Sequence, residues 1–594
     1  MLLACKLSVF VLLSACGLLL GACGGDKEYE NKPPIRGWNI SSDNVDDAMR
    51  VIDVASGQYD INHLQFSHQL VHNLKDVRPT GKAELVNRLA SYAHGKGIQE
   101  VCVWDHALYD IGYYPDEFKV KVDGKQRLDL DNPYFWSWLR NDYSGMLALI
   151  PEVDGVVLTI LGTDSQPMDQ HSVLLASDGE KLAAVVDSLA ALIIDDYQLS
   201  LYIRAFVKDH NQFELLMNCM KRLSHPGIRI MAKEAFQDFL LTHPVSSVTD
   251  SIARYRAIIE FDAAHEYSGQ SILASMFPEI HMKRWKEYMS ESNVMGYVAR
   301  TDRLFDSRII DGPCEINLYA LKRAAEDPWM DAETIYREFI VKKYGEQALP
   351  FIEPAFRKTY DIITSMIYTL GIQIADHSVI DFSRESSYLS LNPGKWHRNM
   401  EFTVEHDVNK TFHYWKDVTN RLCPPGFKHP DRPMAKEVSF AFENGWLESR
   451  ELMNVEYLMY ILAEKDYSVR LAQSALEDVM KARSYIRDAE EYTKLVETFR
   501  RTEIAARAYR ASAKAYFAYR VYSRGGEYRS SVVLFALQEG LDEILTVSDE
   551  IVRYPYKGPR ADFEFQSLAT SALTIHKSIM DSGWTRRDNI NAMR

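Results

Sequence analysis

Eight short apolar, β-prone runs, most separated by segments long enough for a helix, constrain this chain more than any other feature. They are Gly37–Ile40, His63–Phe66, Glu100–Trp104, Gly155–Ile160, Ser200–Val207, Ile228–Ala232, Ala257–Phe261 and Val294–Ala299. Strands that alternate with helices predict a parallel sheet, because each parallel crossover needs a long return connection. Eight β/α units predict a (β/α)8 TIM barrel over residues 36–327. A doubly wound open sheet is the alternative architecture for the same pattern.

Near residue 330 the period changes from strand-like to helical. Glu333–Tyr344, Leu349–Leu370, Glu448–Ala463, Leu471–Tyr519 (with breaks) and Ser530–Val547 all read as helices. An all-helical C-terminal domain is therefore expected over 328–594. It is also the candidate surface for a homodimer. Tyr509, Tyr516, Phe517 and Tyr519 cluster in it, and aromatic residues at helical spacing are expected to be core.

The first residues carry a compartment signal. Lys6 precedes an apolar run from Leu7 to Leu20, then Leu20-Gly-Ala-Cys23. A basic start, a short apolar run and small residues before a cysteine read as a lipoprotein signal peptide over 1–22, with Cys23 lipidated. Residues 23–35 then form a polar tether. The expected location is the bacterial outer membrane, on its surface or periplasmic face. The formal net charge of −15 argues against a nucleic-acid partner, which would need a basic face. Past the signal, Cys102, Cys219, Cys314 and Cys423 are scattered, so neither a zinc site nor a disulfide framework is indicated. No cofactor is implied.

The chemistry concentrates where strands six and seven end. Ile228-Arg-Ile-Met-Ala leads into Lys233-Glu-Ala-Phe-Gln-Asp238, and Ala257-Ile-Ile-Glu-Phe leads into Asp262-Ala-Ala-His-Glu266. Each run breaks into polar residues, with a helical stretch expected to follow. In a barrel, the C-terminal ends of strands hold the reacting groups. Paired acids there suit glycoside hydrolysis, in which one acid protonates the leaving oxygen and another activates water. At the end of strand three, Trp104 and His106 add an aromatic face and a hydrogen-bonding ring. His68 and His72 are four apart, the spacing of one helix face, but lack a clear third metal ligand.

These segments resemble glycoside hydrolase family 67, the α-glucuronidases. Ser200-Leu-Tyr-Ile-Arg204-Ala-Phe-Val is similar to the family's W-R-A-F-V strand. Lys233 through Pro244 (KEAFQDFLLTHP) is similar to K-N-G-P-x-D-F-Q-x-R-E-P. Glu260 through Gln270 is similar to E-x-Q-x-x-Q-E-Y-x-G-Q. Gly162-Thr-Asp164-Ser-Gln-Pro167 resembles S-E-G-Q-P, and Asn317-Leu-Tyr-Ala320 resembles N-x-Y-A. The resemblance implies an inverting hydrolase acting on a carbohydrate that bears uronic acids. It places Asp238 and Glu266 on the acids that activate water, and Arg204 and Lys233 on cations near the substrate carboxylate. Asp164 falls where the family has its general-acid Glu, one methylene shorter. His243 falls where the family has the Glu of R-E-P, and is carried as a substrate-binding position. Two other readings remain: a barrel that has lost catalysis and binds glycans at the cell surface, and an all-helical glycan-binding lipoprotein, against which the eight-strand pattern before residue 330 counts.

Overall fold

The computed structural model describes residues 32–79, 81–207, 210–235, 238–241, 243, 245–246, 248–301, 309–369, 372–373, 375–376, 378–380, 454–555 and 564–584. The signal segment, Cys23, Cys423 and residues 448–453 of one expected helix lie outside them. Eight parallel strands close into a barrel: β1 (Ile35–Ile40), β2 (His63–Phe66), β3 (Glu100–His106), β4 (Gly155–Thr159), β5 (Ser200–Ala205), β6 (Arg229–Lys233), β7 (Arg256–Phe261) and β8 (Val294–Arg300). Every expected strand is present, and closure excludes the open sheet. The seam pairs β1 with β8, from Ile35 opposite Gly296 to Asn39 opposite Arg300. A Cβ at Gly296 would sit 1.8 Å from the Ile35 carbonyl oxygen, so only glycine lets the last strand reach the first.

Helices follow the strands: α1 (Val45–Tyr59), α2 (Lys82–Gly95), α3 (Pro133–Leu147), α4 (Asp178–Ala190), α5 (His210–Met220), α6 (Val248–Ser251), α7 (Pro278–Tyr288) and α8 (Ile316–Glu326). Local chemistry starts several of them. Asn44 caps α1, Asn132 caps α3 with Pro133 in its first turn, and Ser177 with Glu180 forms a capping box on α4. The helical stretch expected after strand six is a single turn, α6. The described residues before it, 234–235, 238–241, 243 and 245–246, are not helical, and a bridge joins Ala235 to Val245. His68 and His72 likewise lie in the β2–α2 loop and not on a helix face. His68 is in the left-handed region at φ 50°, and Leu70 and Val71 are buried between them.

Inside the barrel the strands alternate in three layers. The middle layer is largely apolar: Ile35, Cys102, Val157, Tyr202, Met231, Ile258 and Val298 pack together with Trp104. Two residues back along the strands lies a polar floor. Its Glu100 accepts from Tyr202 at 2.8 Å and Arg229 at 3.2 Å, and pairs with His63 at 2.8 Å. Two residues onward from the apolar layer come His106, Thr159, Arg204, Lys233, Glu260 and Arg300, at the C-terminal mouth. The strands' outward residues join the helices in one large core.

Beyond the barrel come α9 (Ala332–Tyr344), α10 (Leu349–Met366), α11 (Val455–Lys481), α12 (Ala489–Tyr522), α13 (Ser531–Arg553) and α14 (Ser567–Asp581). The long expected run 471–519 breaks at Ala482–Arg487, between α11 and α12. Tyr509 and Phe517 are buried in this region's core, as the aromatic spacing implies. Two short antiparallel ladders, Tyr368–Thr369 with Ile372–Gln373 and Ala375–Asp376 with Val379–Ile380, follow α10 and depart from the helical character of the other described residues.

Candidate active site

Strand parity delivers a ring of alternating charge to the mouth. Arg204, two residues past the interior Tyr202, gives Nε and Nη2 to the carboxylate of Glu260 at 2.9 and 3.1 Å. Glu260 also has Arg300 Nε at 3.9 Å, and Arg300 Nη1 donates to Glu266 at 2.8 Å. Lys233 donates to Asp238 Oδ1 at 2.5 Å, while the Tyr267 hydroxyl donates to Oδ2 at 2.9 Å. Three cations thus meet three carboxylates, as burial requires of charges taken out of water. The aromatic rings of Phe206 and Phe239 lie 3.8 and 4.5 Å from the Lys233 ammonium, and Phe239 lies 5.2 Å from Arg300.

The sequence-derived candidates sort by exposure. Asp238 keeps 21% of its side chain exposed and Glu266 only 5%, so Asp238 is the more reachable of the pair. Asp164 is exposed on the β4–α4 loop, at the same mouth, and its carboxylate has no hydrogen bond or ion pair among the described residues. It acts electrostatically on His106, as does Arg204. Burial, then His72 and Arg204, push the His106 imidazole down to about 4, so it is neutral at neutral pH. Its Nδ1 faces Asn73 Oδ1 at 2.8 Å. Trp104 is 4% exposed, its indole N–H is given to Gln65, and Arg204 covers its ring at 4.6 Å. It therefore floors the site more than it walls it. His243 is buried beneath, with Arg284 donating to its carbonyl at 3.1 Å. Burial, then Arg284, push its ring down to about 3. Burial also lowers Lys233, against the pull of Asp238.

Behind the acids lies a second buried set. Asp262 accepts from the Glu266 N–H at 2.5 Å, and its own N–H donates to Glu234 at 2.9 Å. Burial would raise Glu234, but Arg284 and His281 outweigh it and hold the carboxyl near 2. Asp262 is pushed the other way, to about 7, by burial first and by Glu266.

Sequence reasoning missed Arg300, because its strand was ended one residue early at Ala299. The missing signal was parity: Arg300 stands two past the inward Val298, as Glu260 stands two past Ile258. Tyr267 was quoted within a motif but not singled out. Its hydroxyl reaches Asp238 only because two loops fold together.

No family model matches the chain, and no curated protein sequence does. Among solved structures, a GH138 enzyme targeting pectin rhamnogalacturonan II matches with a TM-score of 0.59 and 11% identity, over 93% of this chain and 84% of that one. A GH115 4-O-methyl-α-glucuronidase with specificity for decorated arabinogalactans matches at TM-score 0.45 and 11% identity, over 93% and 59%. At these identities the likeness concerns fold alone, and it does not single out family 67. What the chain shares with the GH138 enzyme is the fold, here a closed (β/α)8 barrel followed by a helical region.

Proposed function

We propose that the protein is an inverting glycoside hydrolase acting on a glycan that bears uronic acids. The observation that carries this reading is the convergence of Asp238 and Glu266, from adjacent strand ends, on one charged ring with Lys233 and Arg300. A general base must reach its water, and Asp238, though half-buried, is the more exposed of the pair. Its carboxylate is aimed by Lys233, Tyr267 and the Phe239 N–H, which take known lone pairs and leave the remainder for water. Glu266, tied to Arg300 in the same ring, acts with Asp238 on the water. Asp164, exposed and unpaired among the described residues, is the proton donor to the leaving oxygen. Arg204 gives two donors to Glu260, and Nη1 is its remaining group for a substrate carboxylate; Lys233 supplies the positive field beside it. Lipidation at Cys23 would hold the enzyme at the outer membrane, where released oligosaccharides are met.

A second reading is a surface glycan-binding protein without turnover. It is favoured by one observation: both water-side acids already hold a cation. Hydrolysis of a panel of uronic-acid-containing oligosaccharides, pectin fragments among them, decides between the two. Release of a sugar of inverted anomeric configuration supports the first reading. Binding of the same panel without release supports the second.

A further inference from the structure

The loops that carry the two acids are not held by the barrel alone. After Glu266 the chain turns through Gly269, at φ 104°, and the Gly269 N–H donates to the Ser378 hydroxyl at 2.7 Å. The same hydroxyl donates to the Glu266 carbonyl at 3.2 Å. Ser378 is fully buried, and its own carbonyl accepts from Tyr509 of α12 at 2.8 Å. Five residues after Gly269, the Ala274 N–H donates to Thr502 of α12 at 2.7 Å, and Arg501 donates to the Ile272 carbonyl at 2.9 Å. The Asp238 loop has its own tether: the Leu241 N–H donates to the Tyr368 hydroxyl at 3.1 Å. Tyr368 in turn gives its carbonyl to the buried Lys465 of α11.

We infer that the helical region is a working part of the candidate site: Ser378, held by Tyr509, and Tyr368 are positioning residues that fix the loops bearing Glu266 and Asp238. This rests on the reading of those two acids as reactive groups. The physical argument is one of accounting for backbone groups. Residues 262–277, and the described residues 234–235, 238–241, 243 and 245–246, belong to no helix or barrel strand, so their buried N–H and C=O groups need outside partners. The barrel supplies some, through Glu234 and Tyr288. The region beyond the barrel supplies others, at the Glu266 carbonyl itself and three residues after each acid, at Gly269 and Leu241. A base displaced by an ångström loses its water, and such a misplacement costs about 10²-fold in rate.

Two kinds of measurement on the full chain test this. Tyr509→Phe removes one hydroxyl from a ring that stays buried, and Ser378→Ala removes the bridge itself. Amide exchange should quicken in peptides covering 262–277, while β-strand peptides of the barrel keep wild-type protection. Turnover on a glycan the wild type cleaves should fall by up to about 10²-fold with little change in KM, since the ring that contacts substrate is kept. Tyr368→Phe should quicken exchange around 238–246 instead. Unchanged exchange in both loops would overturn the inference. So would exchange raised uniformly over the whole barrel, which is global destabilisation and not positioning. If the wild type cleaves nothing, the hydrolase reading fails, while the exchange data still decide whether the helical region holds these loops.

Discussion

Arg204 on β5 and Glu260 on β7 face each other across the end of β6, joined by two hydrogen bonds of 2.9 and 3.1 Å. Glu260 is fully buried. Breaking a buried pair from one side leaves a charge without its partner, which costs about 3–5 kcal/mol. Arg204→Met is expected at the lower end of that range, because Arg300 stands 3.9 Å from the same carboxylate. Adding Glu260→Leu should recover much of the loss. Chemical denaturation of the single and double variants checks both; a single variant as stable as the wild type contradicts the prediction.

The three acids should separate by role. Asp238→Asn and Glu266→Gln are each expected to cut turnover by about 10²–10⁴-fold with the fold intact by circular dichroism. Asp164→Asn should also cost turnover, and least for substrates whose leaving group needs no proton. If Asp164→Asn is equally harmful for good and poor leaving groups, Asp164 is not the acid.

Lys465 and Glu464 are both fully buried, 2.9 Å apart, and the Lys465 ammonium also takes the carbonyls of Ser365 at 2.8 Å and Met366 at 3.1 Å. It thus closes the C-terminal end of α10, where carbonyls lack helical partners. Lys465→Met removes those bonds and takes away the buried cation that stands beside Glu464. A loss of about 3–5 kcal/mol is expected, read as a lowered denaturation midpoint. A midpoint equal to that of the wild type would show that the buried ion pair contributes nothing net.

Asp262 sets a pH dependence with a definite sign. Its carboxyl is pushed from 3.8 to about 7 by burial and by Glu266, so the folded state binds the proton more tightly than the unfolded chain. Its contribution to stability is full below about pH 4 and is lost as pH rises through about 7. Asp262→Asn keeps an oxygen for the Glu266 N–H and removes the titration. Its stability relative to wild type should therefore increase between pH 4 and 7. Asp105, pushed to about 6 mainly by burial, has the same sign and remains in both proteins, so the difference between the curves isolates Asp262. Parallel curves for the two proteins would remove Asp262 as the cause.

Anchoring is tested apart from the fold. Cys23→Ser should abolish incorporation of labelled palmitate and release the protein from membranes. Labelling that persists would point to Cys16, which also follows small residues.

Much of the architecture was legible because it is local. Each barrel strand is an apolar run, each break is marked by polar or turn residues, and the helical period after 330 needs no long-range information. That Asp238 and Glu266 lie at one mouth of the barrel was legible for a related reason: strand ends in a parallel barrel share one face. The helical stretch after strand six shrinks to the turn Val248–Ser251, while Glu234 is taken up by the Asp262 N–H and by Arg284 and Tyr288 of α7, contacts that outweigh local propensity.

By itself, the sequence determined the eight strands, the change to helices, and the layer in which each inward residue sits, since a strand's side chains alternate with a period of two. Only the tertiary structure decided which charges meet. Glu260 finds Arg204 56 residues away, Glu266 finds Arg300 after 34, and its carbonyl finds Ser378 after 112. Such partners are set by barrel closure and by the docking of α11 and α12. A hydrogen bond depends on ångström-scale approach of its two groups, and spacing along a chain does not encode that distance.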